Sequence, residues 1–309
     1  MADNRKPAAR SMRVNGIALA YNEWRGSPDN HEPPLLFAHA TGFHSRAYDA
    51  IIEHFPNRRV LSLDLRGHGR SEGEPIDDWR IVSDDVNAFI DQLRIRGAVG
   101  VGHSMGAHTL LQCAADRPDA FSRLVLFDPV ILAPEFYDAE TALFTADAPH
   151  PAIRRKRDFD SPEAMMERFG SRDPYCLFDS RVFEDYCRHG LRAKPAGGKD
   201  GAKDGAKDGA KDGGAGYELA CSPEMEASLY ASSRSNAGIL ETAKTVEVPT
   251  VIVRAKQTGF NDFKSSPTWA PLASTMPRGT DLHRPDRTHF HPFEDPADAA
   301  DIIAAAIAD

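Results

Sequence analysis

Five short apolar runs that do not alternate with polar residues constrain the fold more than any other feature of the chain. They are PPLLFAHA, RRVLSLDL, AVGVGHS, RLVLFDP and PTVIVRA. A strand that is apolar on both faces belongs to a buried parallel sheet, because crossover helices cover both sides of such a sheet. Segments with helical spacing lie between the runs, for example residues 84–93 and 105–115. This alternation predicts a doubly wound, mostly parallel α/β fold.

The two ends of the chain add an antiparallel pair and a helix to this sheet. The segment RVNGIALAYNEW carries an Asn-Gly step between two strand-like runs, which is typical of a tight β-hairpin. The final segment, DPADAADIIAAAIAD, begins with Asp-Pro and continues as an apolar helix. We therefore predict a flexible N-terminus over residues 1–12, and a core domain formed by residues 13–131 and 246–309.

A long insertion, residues 132–245, interrupts the core. A crossover between parallel strands needs only a dozen or so residues, so the insertion must have structure of its own. The stretches AMMERFG, SRVFEDYCRHGL and SPEMEASLYAS have helical spacing, which predicts a helical cap above the sheet. Residues 199–213 repeat Lys-Asp-Gly-Ala. Glycine in every turn costs a helix about 1 kcal/mol each, so we predict a flexible, solvated loop over residues 195–216.

Charge and cysteine content exclude several classes of partner. The formal net charge is −9, and a chain this acidic offers no basic surface for nucleic acid or an anionic membrane. The four cysteines form no CxxC pair, and Cys113 falls in an apolar helical pattern, which indicates a reducing compartment. We find neither a signal peptide nor an apolar run long enough for a membrane span, so we expect a cytoplasmic protein. The oligomeric state, a homodimer included, is open.

The stretch Gly102-His103-Ser104-Met105-Gly106 fits the pattern G-x-S-x-G, in which a nucleophile occupies a sharp turn from strand to helix. Glycine is needed because the backbone at the serine is strained and side chains on either side would collide with neighbouring elements. A serine between glycines can also be a plain turn residue. The apolar run before it and the helical segment after it favour the nucleophile.

With these residues the chain resembles the alpha/beta-hydrolase superfamily. Besides GHSMG, the resemblance is carried by LLFAHATGF, by DLRGHGRS and by THFHPFEDP, and it extends over nearly all of the chain outside the insertion. It implies an alpha/beta-hydrolase fold and a serine hydrolase that uses no cofactor and no metal. The DxRGHGxS run looks like a structural loop after a strand, so we assign structural roles to Asp64, Arg66 and His68.

A serine hydroxyl needs a neighbouring base, because it is hardly ionised at neutral pH. The resemblance implies that Ser104 is the nucleophile and His289 the base, because only His289 has the H-x-x-x-x-E-x-P spacing to Pro296. The neighbouring His291 lacks this register, and we expect it to face the cap or to pack locally.

The acid of the triad has two candidates. Most of the family carries it in a Gly-x-x-Asp loop after the strand that follows the cap, but here that loop reads Ala-Lys-Gln-Thr over residues 255–258. Asp128 directly follows an earlier strand, a position from which some members of the superfamily supply the acid. Asp262 lies a few residues beyond the usual place. We favour Asp128, because a strand end holds a side chain rigidly.

The oxyanion hole of such enzymes consists of two backbone N–H groups. The resemblance assigns these to Met105, which follows the nucleophile, and to Thr41 in the loop after an early strand. The family usually has His-Gly in this loop, whereas this chain has His39-Ala40, so the choice between Ala40 and Thr41 is open. We expect His39 to brace the loop through a hydrogen bond.

We predict a serine hydrolase that cleaves a small-molecule ester, thioester or amide through an acyl-enzyme. A carbon-carbon bond hydrolase with the same triad and a non-catalytic small-molecule receptor on the same fold are the alternatives. The basic run at residues 154–157 is interpreted as a solvated face of the cap, with an acidic-substrate site as the other option. Tyr175, Phe178 and Trp269 are candidates for lining the pocket.

Overall fold

A computed structural model describes residues 6–138, 144–145, 147–194, 216–259 and 262–308. Residues 1–5 of the predicted N-terminal segment and residues 195–215 of the predicted Lys-Asp-Gly-Ala loop lie outside these ranges.

An eight-stranded sheet forms the centre of the molecule. Its strands are β1 (Ala8–Val14), β2 (Ile17–Trp24), β3 (Leu35–Ala38), β4 (Val60–Leu63), β5 (Ala98–His103), β6 (Phe121–Phe127), β10 (Thr250–Ala255) and β11 (Gly279–Arg284). Their order across the sheet is β1-β2-β4-β3-β5-β6-β10-β11. The β1–β2 and β2–β4 pairs are antiparallel, and the other pairs are parallel. The predicted fold class, a mostly parallel sheet that opens with an antiparallel hairpin, is confirmed.

Helices cover both faces of this sheet, so each face has its own hydrophobic core. One core contains side chains from α2 (Arg80–Leu93), α3 (Met105–Asp116), α8 (Ile239–Ala243) and α9 (Leu272–Thr275). The other contains side chains from α1 (Asp49–Ile52), α10 (His291–Glu294) and α11 (Pro296–Ala308). Strands β3 to β6 are buried along almost their whole length, because both faces are covered. Their continuous apolar runs follow from this.

The N-terminal boundary of the core differs from the prediction. Strand β1 begins at Ala8 and pairs with β2 from Ala8↔Glu23 to Val14↔Ile17. Residues 8–12, which we predicted to be flexible, are therefore part of the sheet. Their side chains are mostly exposed at the sheet edge, so the apolar pattern that would have indicated a strand is weak there.

The inserted segment is not purely helical. Its elements are α4 (Pro134–Tyr137), β7 (Asp158–Phe159), α5 (Pro162–Phe169), α6 (Ser180–His189), β8 (Leu191–Ala193), β9 (Tyr217–Leu219) and α7 (Pro223–Ala231). The three strands form a small antiparallel sheet in the order β7-β9-β8. Helix α8 lies inside the predicted cap range of 132–245 but packs on the core helix α3. The cap therefore combines helices with a sheet whose strands are too short to show a period of two.

The four cysteines are free, and Cys113, Cys187 and Cys221 are buried. A helix long and apolar enough to cross a bilayer does not occur in the ranges described above.

Candidate active site

The turn between β5 and α3 holds Ser104 in a strained conformation. Ser104 has φ +57° and ψ −118° and caps the N-terminus of α3, a conformation that L-residues rarely adopt. Its N–H donates to the carbonyl of Phe127 on the adjacent strand at 2.9 Å. This bond fixes the serine at the carboxyl end of the parallel strands, where open α/β sheets place their functional groups.

The two glycines of the motif allow close backbone packing at this turn. A Cβ atom at Gly102 would lie 2.5 Å from the Cα of Ala107 on α3. A Cβ atom at Gly106 would overlap the carbonyl group of Ala38 on β3. Any side chain at either position would therefore push the strand, the helix and Ser104 apart.

The structure brings Ser104, His289 and Asp128 together at the ends of three segments. The distance from His289 Nε2 to Ser104 Oγ is 3.0 Å, and the distance from His289 Nδ1 to Asp128 Oδ2 is also 3.0 Å. Ser104 and Asp128 are buried, and the His289 side chain is 13% exposed. A carboxylate on one ring nitrogen and a hydroxyl on the other is the arrangement of a general base and its nucleophile.

The loop that lacks the expected aspartate instead supports Asp128. The other carboxylate oxygen of Asp128, Oδ1, accepts the N–H of Ala255 at 3.0 Å and the hydroxyl of Ser266 at 2.5 Å. Asp262 lies in the same loop and contacts Thr258 and Lys264, with no hydrogen bond to His289 among the described side chains. Ser266 could not be predicted from the sequence, because it belongs to an irregular segment.

The N–H groups of the loop after β3 distinguish Thr41 from its neighbours. The N–H of Ala40 donates to the Tyr48 hydroxyl at 3.2 Å, and that of Gly42 donates to His68 Nε2 at 3.0 Å. Within the described part of the chain, the N–H of Thr41 has no hydrogen-bond partner. The Thr41 hydroxyl contacts the sulfur of Met105 at 3.5 Å, so the two residues that we predicted to line the oxyanion hole are neighbours.

The residues around this loop brace it. His39 donates from Nδ1 to the carbonyl of Ala40 at 2.8 Å and accepts the N–H of Leu65 at Nε2 at 2.9 Å. Burial lowers the pKa of His39, and likewise that of His68, to about 3, so both imidazoles are neutral and can accept. Asp64 accepts the N–H groups of Ser45 and Arg70, each at 2.8 Å.

Arg66 forms a two-bond ion pair with Asp85 on α2, at 2.6 and 2.9 Å, with the Asp85 side chain 1% exposed. Each polar side chain that we picked from the DLRGHGRS run therefore bonds to the protein's own backbone or to a neighbouring helix. These contacts agree with structural roles for Asp64, Arg66 and His68.

Aromatic side chains from the cap and the core meet beside His289. Phe290 lies 5.6 Å from Phe178 and 6.2 Å from Phe43, measured between ring centroids, and Tyr175 lies 5.6 Å from Phe178. This aromatic cluster includes two of the three residues that we proposed for the pocket. Trp269 is not part of the cluster; it packs against the core on the other face of the sheet.

The basic run at residues 154–157 is not the uniform solvated face that the sequence predicts. Arg155 points inward and pairs with Glu226 of α7, and it also donates to the hydroxyls of Tyr186 at 2.8 Å and Tyr175 at 3.3 Å. The other three basic residues are exposed. Arg155 directly follows a short 3₁₀ turn, Pro151–Arg154, and this turn directs its side chain into the cap.

The Arg155–Glu226 pair adjoins the loop after β3. A Cβ atom at Gly42 would lie 2.9 Å from Glu226 Oε1 and 3.4 Å from Arg155 Nη1. Glu226 and the two tyrosines together raise the pKa of Arg155 against the opposing effect of burial, so the guanidinium is charged. The cap therefore places a paired cation and anion next to the loop that carries Thr41.

Two further observations complete the site. His291 packs locally: its Nε2 lies 2.5 Å from Asp298 and its ring contacts Phe127. In the described ranges, no three or more His, Cys, Asp or Glu side chains are arranged to hold a metal ion.

Most of the chain matches one known protein family. Residues 35–302 match the model of the alpha/beta hydrolase family. The chain is 34% identical over 130 residues to the sn-1-specific diacylglycerol lipase ABHD11 of Mus musculus, covering 40% of this chain and 41% of that protein. It is 34% identical over 123 residues to the bifunctional esterase/perhydrolase DCH of Acinetobacter calcoaceticus, covering 38% and 42%. The alignments thus span about two fifths of each relative.

Among solved structures, E-2-(acetamidomethylene)succinate hydrolase superposes with a TM-score of 0.72 at 19% identity. The superposition covers 98% of this chain and all of the other. At this level of identity the likeness describes the fold.

Proposed function

The chain belongs to the alpha/beta hydrolase family, and from this premise we propose that it is a serine hydrolase of small-molecule carboxylic esters. One observation carries the proposal. His289 lies 3.0 Å from the Ser104 hydroxyl on one side and 3.0 Å from the Asp128 carboxylate on the other. The ester is chosen over other acyl compounds because the sequence relatives include a diacylglycerol lipase and an esterase.

The proposed reaction begins with the attack of Ser104 Oγ on the ester carbonyl. His289 Nε2 takes the serine proton, and Asp128 holds the Nδ1–H of the same ring and stabilises the imidazolium. His289 then gives the proton to the leaving alcohol, and an acyl-enzyme remains. Water, deprotonated by His289, attacks the acyl-enzyme, and Ser104 leaves with the proton that His289 returns.

The N–H groups of Thr41 and Met105 stabilise the negative oxygen of both tetrahedral intermediates. Both groups are free to do so, because neither N–H is used by a neighbouring carbonyl or side chain in the described residues. Backbone donors in a buried site need no reorganisation during the reaction. The aromatic cluster beside His289 supplies an apolar wall for one part of the ester.

The test combines labelling with turnover. A fluorophosphonate is added to the wild type, to Ser104→Ala and to Ser83→Ala, and intact mass is measured beside the hydrolysis of para-nitrophenyl acetate. Ser83 is a matched control because it is a buried serine on α2, outside the site. We expect one adduct on the wild type and on Ser83→Ala and none on Ser104→Ala, where turnover falls by about a millionfold.

The alternatives give different results. A wild type that neither labels nor turns over has no activated serine, and the receptor function then replaces the proposal. A wild type that labels but cleaves only vinylogous diketones is a carbon-carbon bond hydrolase. An adduct that survives in Ser104→Ala would move the nucleophile to another residue.

A further inference from the structure

A chain of hydrogen bonds joins the oxyanion loop to the backbone of His289. The N–H of Ala40 lies 3.2 Å from the Tyr48 hydroxyl, and that hydroxyl lies 2.9 Å from His103 Nδ1. The other ring nitrogen of His103, Nε2, lies 2.8 Å from the carbonyl oxygen of His289. Tyr48 and His103 together, here called the Tyr48–His103 bridge, therefore connect two parts of the site that are about 250 residues apart in sequence.

The direction of every bond in this bridge is fixed. A carbonyl only accepts, so His103 Nε2 must carry a proton and donate to His289. Burial, and next the nearby His289, hold the pKa of His103 well below its usual value, so the ring is neutral and its Nδ1 accepts. The Tyr48 hydroxyl therefore donates to His103, and its oxygen is left to accept the N–H of Ala40.

The bridge is buried and tightly packed. Tyr48 is 3% exposed and His103 is fully buried. The ring of Phe293 lies 5.1 Å from both of their rings. Water has no access to compete for these bonds, and a buried network with all of its members satisfied is rigid.

We propose that the Tyr48–His103 bridge positions the Thr41 N–H and the His289 imidazole relative to each other for the reaction at Ser104. The inference rests on the proposed function and adds two positioning residues to it. Ala40 directly precedes Thr41. The bond from the Ala40 N–H to Tyr48 fixes the peptide between His39 and Ala40, and it leaves the N–H of Thr41 free for a ligand. The bond from His103 fixes the backbone that carries the imidazole.

The first variant removes one hydroxyl. In Tyr48→Phe, Ala40 and His103 each lose a partner, and we expect kcat for para-nitrophenyl acetate to fall about tenfold with KM within about twofold. The reason is that the oxyanion donor and the base act on the transition state and little on the bound ester. Tyr137→Phe is the matched control, because its hydroxyl also accepts one backbone N–H, that of Leu132 at 3.2 Å, outside the bridge. We expect it to keep the wild-type kcat.

The second variant tests whether the two residues act as one unit. His103→Gln keeps an N–H donor at the position of Nε2, but its amide oxygen does not lie at the position of Nδ1, where the Tyr48 hydroxyl donates. If both residues act through one bridge, the double variant Tyr48→Phe/His103→Gln loses no more kcat than the worse single variant. Losses that multiply would overturn the bridge. His103→Gln also keeps the test available if Tyr48→Phe does not fold.

A spectroscopic readout separates this inference from the proposed function. The downfield proton NMR signal of the His289 Nδ1–H, assigned by its loss in His289→Gln, reports on the bond to Asp128 without any substrate. We expect this signal to shift or broaden in Tyr48→Phe and not in Tyr137→Phe. If the wild type hydrolyses no ester but the signal still changes in Tyr48→Phe, the bridge stands and only the proposed function fails. An unchanged signal with an unchanged kcat overturns the bridge.

Discussion

The core and the cap hold their buried charges in different ways. In the core, Asp128 follows a strand, and its Oδ1 is fixed by the N–H of Ala255 at the end of the neighbouring strand and by the hydroxyl of Ser266. In the cap, Arg155 follows a short 3₁₀ turn and Glu226 lies on α7, and the two are held by each other and by two tyrosine hydroxyls that Arg155 contacts. The sheet therefore determines where a strand-end charge lies, whereas the position of a cap charge depends on the packing of distant segments.

The sharpest test of the core side of this comparison sets two aspartates against each other. We expect Asp128→Asn to lower kcat/KM for para-nitrophenyl acetate by about 10⁴-fold, because the amide presents the wrong partner to His289 Nδ1. Asp262→Asn should change it by less than about twofold, because among the described residues the Asp262 side chain bonds to Thr258 and Lys264 of its own loop and not to His289.

The kcat/KM values of the two variants test Asp128 against Asp262 as the acid of the proposed triad. If Asp262→Asn loses activity and Asp128→Asn keeps it, then the loop after β10 moves in solution and strand-end rigidity is not what selects the acid. Both variants must show the circular dichroism spectrum of the wild type, because an unfolded protein would lose activity for a trivial reason.

The cap side of the comparison is tested by removing one cation. Arg155→Met leaves Glu226, whose side chain is 8% exposed, without its partner, and breaking a buried pair costs about 3–5 kcal/mol of unfolding free energy. Arg157→Met is the matched control, since Arg157 pairs with Glu224 and both side chains are over 40% exposed. An exposed pair contributes about 1 kcal/mol or less.

Urea unfolding of both variants measures the difference. We expect the double variant Arg155→Met/Glu226→Leu to regain much of the loss, because no unpaired charge remains. Equal midpoints for Arg155→Met and Arg157→Met would show that the cap pair is as solvated as a surface pair, and the contrast with the core would disappear.

The core could be predicted from the sequence because each of its buried parallel strands is visible as a short run of consecutive apolar residues. The five apolar runs are strands β3, β4, β5, β6 and β10, since a buried parallel strand must be apolar on both faces. Strand β11 (Gly279–Arg284) was not predicted, because it lies at the sheet edge and its side chains are partly or fully exposed. The position of Ser104 was similarly accessible, because a strand, a strained turn and a helix are adjacent in the chain.

Contacts between distant segments could not be predicted. The proposal of Thr41 over Ala40 as the oxyanion donor depends on the Tyr48 hydroxyl, and nothing in the loop sequence shows where that hydroxyl lies. The inward orientation of Arg155 depends on Glu226, 71 positions away. The cap strands β7, β8 and β9 have two or three residues each, too few to show a period.

The smallest expected effect concerns protons taken up by the unfolded chain. Burial lowers the pKa of four core histidines below the usual 6.5: His39 and His68 to about 3, and His44 and His108 to about 4. Their folded-state pKa values lie below the unfolded value, so the stability they contribute is complete above pH 6.5 and is lost as the pH falls towards 4. At pH 5.5 each histidine that stays neutral in the folded protein lowers the free energy of unfolding by about 1.4 kcal/mol relative to neutral pH.

The core and the cap should differ in this respect too, and His108 and His150 allow a direct test. His108 is buried in the core and accepts a hydrogen bond from Asn236 at 3.1 Å, whereas His150 is only partly buried in the cap, and burial lowers its pKa. Urea unfolding at pH 7.5 and 5.5 measures the loss for the wild type, His108→Gln and His150→Gln. We expect His108→Gln to reduce the loss between the two pH values by about 1.4 kcal/mol, and His150→Gln to reduce it by less. If His150→Gln has the larger effect, then the cap, and not the core, is the part of the protein that resists protonation.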